Sequence, residues 1–287
     1  MDLRARSTFR TIAVLTLIPV AGLAVFLLWN WINGGNPELP LPHKPAPQVA
    51  STPAVLETAL APVRAKRRSG RGQIVLIIDD LGFEGQPLER VMALDPNINC
   101  AILPNAESAA AFAEKLNARG FEILCHLPME PQGSAAPGRN AILTSMSDDE
   151  IARATRENIA AIPYARGVNN HMGSRATSDR RVMTSVLGAI PDEMYFIDSR
   201  TSGGSVAADV AREMNVRTAT RHVFLDDVAT ESAVRHQVAE LAEAARKRGV
   251  AIGIGHPYPV TMRVLAQELP ELRARGFRLV RASEVVR

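Results

Sequence analysis

Four short apolar runs in this chain each end on a side chain able to hold a metal or move a proton. Ile74–Ile78 leads into Asp79 and Asp80, Phe121–Cys125 into His126, Gly167–Asn170 into His171, and Ala251–Gly255 into His256. Two carboxylates and three imidazoles have the chemistry for one divalent cation and for acid–base work. They can do it only if they meet. In a parallel α/β sheet the carboxyl ends of successive strands converge on one mouth, where ligands and catalysis usually sit. An enzyme with its site at such a mouth is the expectation.

Each motif also has a plainer use. Side chains alternate along a strand, so Asp79 and Asp80 face one way only if the chain turns there. Such a turn would let one bind a metal while the other takes a proton; the alternative is a carboxylate capping the next helix. Glu130 stands four residues after His126, so one helical turn would bring both to a common ligand, whereas Pro128 between them speaks for a loop. His171 lies in Asn169-Asn170-His171-Met172-Gly173-Ser174-Arg175, a polar, turn-rich stretch that is either a functional loop or an ordinary βα turn. Gly253 and Gly255 before His256 admit close backbone approach to a ligand, and Pro257 after it also suits a helix start. Asp198 and Arg200 end another run; Arg200 suits a carbonyl or an acidic substrate group, or simply pairs with Asp198. Asp226 and Asp227 are weaker candidates, His222 and His236 read as structural, and His43 falls in a linker.

These residues need a scaffold, and the pattern from Gln73 onward supplies one. Strands are expected at 73–78, 98–103, 122–127, 167–170, 194–197, 216–219 and 250–254, with 278–280 as a further one. Helical periodicity falls at 106–118, 148–161, 179–189, 205–214, 231–248 and 260–274. Ser147-Asp148-Asp149-Glu150 forms a capping box, and Arg246-Lys247-Arg248 before Gly249 closes a helix. Alternation of this kind implies a mostly parallel sheet, either a closed or nearly closed (β/α) barrel or an open doubly wound sheet. No glycine-rich phosphate loop follows the first strand, which speaks against a nucleotide. Cys100 and Cys125 both lie in strand-like runs and read as buried thiols rather than a disulfide.

The first 71 residues differ in kind. They hold nine Lys and Arg against three Asp and Glu, so the basic character of the chain belongs to them and the remainder is mildly acidic. No basic patch on the folded part points to nucleic acid. Residues 11–32 are apolar throughout, about 33 Å as a helix at roughly 1.5 Å per residue, enough to cross a bilayer core of about 30 Å. Arg4, Arg6 and Arg10 precede this stretch, and Trp29 and Trp31 close it. The expected reading is a cytoplasmic N-terminus at 1–10, a membrane anchor at 11–32 and an extracytoplasmic remainder, a cleaved signal peptide being the competitor. Residues 33–72, with seven prolines and a basic cluster around Lys66–Arg68, read as a solvated linker to a domain at 73–287.

Six motifs in order, Ile-Ile-Asp-Asp-Leu-Gly, Ala-Ile-Leu-Pro at 101–104, Glu-Ile-Leu-Cys-His-Leu-Pro-Met-Glu, Asn-Asn-His-Met-Gly-Ser, Phe-Ile-Asp-Ser-Arg-Thr-Ser and Gly-Ile-Gly-His-Pro, closely resemble the divergent polysaccharide deacetylase family over nearly all of 73–283. The resemblance implies an irregular seven-stranded (β/α) barrel and a metal-dependent hydrolase acting on acetylated glycan. It implies Asp79 as base, Asp80 and His126 as ligands to a divalent metal, zinc by preference, and His256 as acid. In the better-known polysaccharide deacetylases the second ligand histidine stands four residues after the first, a position held here by Glu130. Either Glu130 supplies a carboxylate or His171 completes the set, and imidazole is the better zinc ligand. The same departure leaves a second reading, an envelope binding or scaffold protein that keeps the fold without turnover; few aromatic residues are present to stack sugars. A metallo-phosphoesterase is a third reading, weakened by the missing phosphate cradle.

Overall fold

The computed structural model describes residues 72–287; the expected anchor and nearly all of the expected linker lie outside the described residues. Among the described residues no helix is long and apolar enough to cross a membrane. Strands and helices alternate: β1 (Gly72–Leu81), α1 (Leu88–Met92), β2 (Asn99–Ile102), α2 (Ala109–Ala118), β3 (Glu122–Met129), α3 (Asp148–Ala160), β4 (Ala165–Met172), α4 (Arg180–Leu187) and β5 (Tyr195–Asp198). Then come α5 (Ala207–Glu213), β6 (Thr218–Thr220), β7 (Val223–Phe224), α6 (Glu231–Arg248), β8 (Val250–Gly255), α7 (Pro259–Ala274) and β9 (Phe277–Leu279). All pairings are parallel, in the order β6-β5-β4-β3-β2-β1-β8-β7, with β9 added beside β1.

The result is a curled half-barrel, not a doubly wound sheet. Its two edges, β6 and β7, are separated in the chain only by Arg221 and His222. The segment 218–224 leaves β5 and joins β8 without reversing, as Arg221 N–H donates to the Asp198 carbonyl and His222 N–H to that of Ile252. The expected strand at 216–219 is therefore shifted and longer, and β7 has no counterpart in the sequence reading. Val223 and Phe224 are only two residues long, too short for a period to register. Helix α1 was also not expected; five residues leave little periodic signal.

The period of two decides which residues reach the interior. Ile74, Leu76 and Ile78 pack outward under the helices, while Val75 and Ile77 line the inside of the curl. In β3, Ile123, Cys125 and Leu127 face out and Leu124 faces in. In β8, Ile252 and Ile254 face in. Continuing each inward series by two along the strand reaches Asp79, His126 and His256. Chemistry begins where the apolar interior ends. Cys100 and Cys125 are free and buried on the outward side.

Local signals explain the helices that hold this sheet. Ser147 Oγ accepts from the Glu150 N–H while Glu150 returns a bond to the Ser147 N–H, so the capping box opens α3; such caps stabilise by roughly 1 kcal/mol. Thr230 caps α6, and Gly249, at φ 83°, ends it after three basic residues. The glycines before His256 serve packing, correcting the expectation of close approach to a ligand. A Cβ on Gly253 would lie 2.6 Å from the Leu241 side chain, and one on Gly255 would lie 3.3 Å from Asp226.

Candidate metal centre

Strand β1 breaks its regular pairing with β2 between Ile78 and Leu81. Asp80 there adopts φ 58°, a left-handed conformation costing on the order of 1 kcal/mol that aspartate tolerates better than most residues. This turn brings both carboxylates to the interior. Met172 (φ 51°), the last residue of β4, and Arg200 (φ 45°), just past the end of β5, are strained in the same way. Such outliers tend to cluster where surrounding structure forces a functional geometry.

Asp80, His126 and His171 converge. Asp80 Oδ1 lies 3.1 Å from His126 Nε2 and 2.9 Å from His171 Nδ1, and the two nitrogens are 3.3 Å apart. Yet Asp80 Oδ1 is buried without a hydrogen-bond partner. Three donor atoms this close, with their lone pairs facing one another, repel unless a proton or a cation sits among them. Donors on one small ion lie roughly 3 Å apart, since each is about 2.0–2.1 Å from the metal. The donor set therefore fits a divalent ion, and two imidazoles with one carboxylate suit zinc.

A buried relay orients the ligands. Asn169, completely buried, donates through Nδ2 to Asp79 Oδ1 at 2.8 Å and accepts from His126 Nδ1 at 2.9 Å. His126 Nδ1–H is thus engaged by Asn169, so that loss of the Nε2 proton to a bound ion would turn the Nε2 lone pair towards the metal. This is the outer-shell arrangement that fixes the tautomer of metal-binding histidines. Asn170 accepts from the Ser199 N–H and donates to the Met172 carbonyl, which holds the loop after His171. Burial pushes the His126 pKa down, but the charges of Asp79 and Asp80 overcome it and raise it to about 9. For Asp80, the contacts with His126 and His171 outweigh burial and hold the carboxyl far below its usual range.

The other two candidates flank this triangle. Asp79 is 3 % exposed, and its Oδ2 lies 3.6 Å from His126 Nε2. Burial raises its pKa, with His126 and His256 opposing. His256 Nε2 lies 3.7 Å from Asp80 Oδ2, on the far side of the carboxylate. Its Nδ1 donates to Asp226 Oδ1 at 2.9 Å, and Asp226 Oδ2 accepts from the His256 N–H and from Thr261 Oγ1. Burial lowers the His256 pKa, and the Asp226 bond together with the charges of Asp79, Asp226 and Asp80 raises it overall.

Several sequence candidates fall elsewhere. Glu130 does not reach the centre: β3 runs extended through Pro128 to Met129, so four residues span about 13 Å rather than one helical turn. Its carboxylate accepts from Thr144 N–H at 2.6 Å and Thr144 Oγ1 at 2.7 Å and pairs with Arg175. Asp198 is likewise committed, to the Arg200 N–H and the Ser205 hydroxyl, and Arg200 meets it through the backbone rather than the guanidinium. Sequence reading undervalued Asp226 and gave Asn169 no role. The spacing of Asp226 to His256, thirty residues apart, carries no local signal.

The match to the model of the divergent polysaccharide deacetylase family spans residues 76–286. The chain belongs to this family. Its relatives include the uncharacterized protein YibQ of Escherichia coli K12, 38% identical over 75% of this chain and 67% of that one. An uncharacterized protein of Haemophilus influenzae is 36% identical over 70% of this chain and 72% of its own length. Among solved structures, an uncharacterized protein of Agrobacterium tumefaciens superposes with a TM-score of 0.73 over 76% of this chain and 89% of its own, at 22% identity. That likeness is one of fold.

Proposed function

We propose that the protein is a metal-dependent hydrolase that removes acetyl groups from a glycan of the cell envelope. The carrying observation is the meeting of Asp80, His126 and His171 around one point, with Asp79 and the His256–Asp226 pair beside it. The curled sheet is read as the family's irregular seven-stranded barrel, with 218–224 counted as one strand and β9 as an addition.

Asp80, His126 and His171 would hold the ion, which when bound supplies Lewis acidity towards water and the acyl carbonyl. Asp79 takes the proton of the attacking water; its raised pKa makes it a stronger base than a solvated aspartate. Asn169 holds Asp79 in place through its Oδ1 and leaves Oδ2 free to accept. His256 gives a proton from Nε2 to the departing nitrogen or oxygen, while Asp226 keeps Nδ1–H engaged and the ring oriented. The inward face, apolar up to these residues, keeps bulk water from below.

The test is direct. The purified full chain, loaded with zinc, should release acetate from at least one of peptidoglycan, chitin-type or xylan-type oligosaccharides. Asp79→Asn should retain the metal and lose about 10²–10⁴ in kcat. A protein that takes up no metal and releases no acetate from any of them would overturn the proposal.

A membrane-anchored, extracytoplasmic setting is part of the same proposal. It is supported by the apolar stretch at 11–32 and the arginines before it. A non-catalytic glycan-binding role is the second reading, favoured by Glu130 at the position where a ligand histidine is the pattern. In that case His126→Ala would abolish metal uptake and leave cellular function intact.

A further inference from the structure

Next to the mouth runs a groove of about 770 Å³, lined among others by Arg200, Arg221, Phe224, Asp227, His236 and Glu240. It adjoins the catalytic histidine through packed rings. The Phe224 ring centroid lies 5.3 Å from that of His256, and the Arg221 guanidinium carbon sits 4.9 Å over the same Phe224 ring.

These two arginines differ from those held in ion pairs. Arg175, Arg180, Arg181, Arg212, Arg235 and Arg273 each meet a carboxylate. Among the described residues Arg200 and Arg221 have none within ion-pairing distance, although Asp227 and Glu240 line the same groove. Arg221 donates Nε–H to the Ser199 carbonyl at 2.5 Å and an Nη2–H to the Arg200 carbonyl at 2.7 Å. Two N–H groups are thus spent on holding the loop, and the remainder are left for a ligand. Burial lowers the Arg221 pKa, the charges of Asp198 and Asp79 oppose this, and the charge of Arg200 adds to it. The two arginines thus stand side by side, one half-buried over an aromatic ring, with N–H groups left to meet an anionic ligand.

We infer that this groove binds the carboxylate of an acidic sugar adjoining the one whose acyl group is cleaved, so that the substrate is an anionic glycan. The inference rests on the proposed hydrolase site for its account of why the groove opens beside His256. Its chemistry is independent: guanidinium pairs recognise carboxylates through charge-assisted hydrogen bonds. The folded part is mildly acidic and its mouth holds Asp79, Asp80 and Asp226, so without Arg200 and Arg221 an acidic glycan would be repelled.

The experiment is calorimetric titration of the zinc-loaded full chain with a hexasaccharide alternating glucuronic acid with N-acetylglucosamine. The control is the same hexasaccharide with its carboxyl groups reduced to alcohols. The acidic form should bind about tenfold more tightly, with the gap narrowing at high salt. Arg200→Gln should remove most of the gap and Arg200→Lys should restore part of it. Equal affinity for the two sugars, no binding of either, or an undiminished gap in Arg200→Gln overturns the inference. Binding needs no turnover, so the two ideas fail separately. A chain that prefers the acidic sugar but releases no acetate from any glycan sinks the hydrolase alone. One that turns over both forms with equal KM sinks the acidic ligand alone.

Discussion

Strand β3 carries two buried ionisable residues, Glu122 at its start and His126 towards the mouth, and their surroundings contrast. At its start, Glu122 accepts from the Tyr195 hydroxyl at 2.7 Å, from the Ser283 N–H at 2.9 Å and from the Ser283 hydroxyl. Asn99 nearby binds the Leu76 carbonyl and the Ala282 N–H. The Glu122 carboxylate and the Asn99 side chain both close on the protein itself. At the mouth, His126 closes on Asn169 from one side only, and its other nitrogen faces Asp80 Oδ1, which has no hydrogen-bond partner. Burial is similar at both ends; satisfaction is not. Polar groups that satisfy one another specify a fold, whereas converging lone pairs left unsatisfied reserve a place for something else.

The contrast can be attacked from its strongest side first. His126→Ala or Asp80→Asn should abolish metal uptake and lower acetate release about 10³-fold or more, the scale of losing a Lewis acid. Elemental analysis and an activity assay read both effects, and a variant that keeps its metal and its rate would erase the distinction drawn here. Asp226→Asn should cost about 10–100-fold, as outer-shell partners do. Because Asp226 raises the His256 pKa, the high-pH fall in rate, where the acid loses its proton, should move to lower pH in that variant. An unmoved limb in the kcat profile would remove His256 from the role of acid.

At the other end, Glu122→Gln should destabilise the fold by about 1–3 kcal/mol and leave activity per folded molecule unchanged. Urea unfolding with parallel assays separates the two. A subtler effect concerns the metal-free protein. The His126 pKa is raised from 6.5 to about 9 by the folded environment, so its contribution to stability is complete below 6.5 and is lost as pH rises through 9. Thermal melts of the chelator-treated protein should fall over that window, and zinc should flatten the fall because the ion replaces the proton. Smallest of all, Glu130→Gln should leave metal affinity within about twofold, since its carboxylate is engaged by Thr144 and Arg175. A large loss of zinc in that variant would return Glu130 to the ligand set.

Much of this molecule was legible along the chain. The runs before Asp79, His126 and His256 show which strands exist, and their parity shows which residues share a face; both faces are apolar, so only the curl decided which one is the interior. Helix α6 appears at its expected bounds of 231–248 because its cap, periodicity and closing glycine agree. Other features were hidden. Asp226 meets His256 across thirty residues, Asn169 joins Asp79 to His126 across ninety and forty-three, and none of these separations has a periodic signature. Glu130 stayed open because spacing by four suggests a helical turn while Pro128 speaks for a loop, and the pairing of β3 with β4 through Pro128 shows that the chain stays extended there.

The division follows from the range of the forces involved. Residue types, alternation and caps act within a few positions, so the sequence by itself determined the candidate chemistry, most of the strand and helix order and which residues share a face. The left-handed turn at Asp80, the orientation of His126 by Asn169 and the tautomer of His256 arise from groups far apart in the chain. They were decided only when the parallel sheet curled and brought them within hydrogen-bond reach.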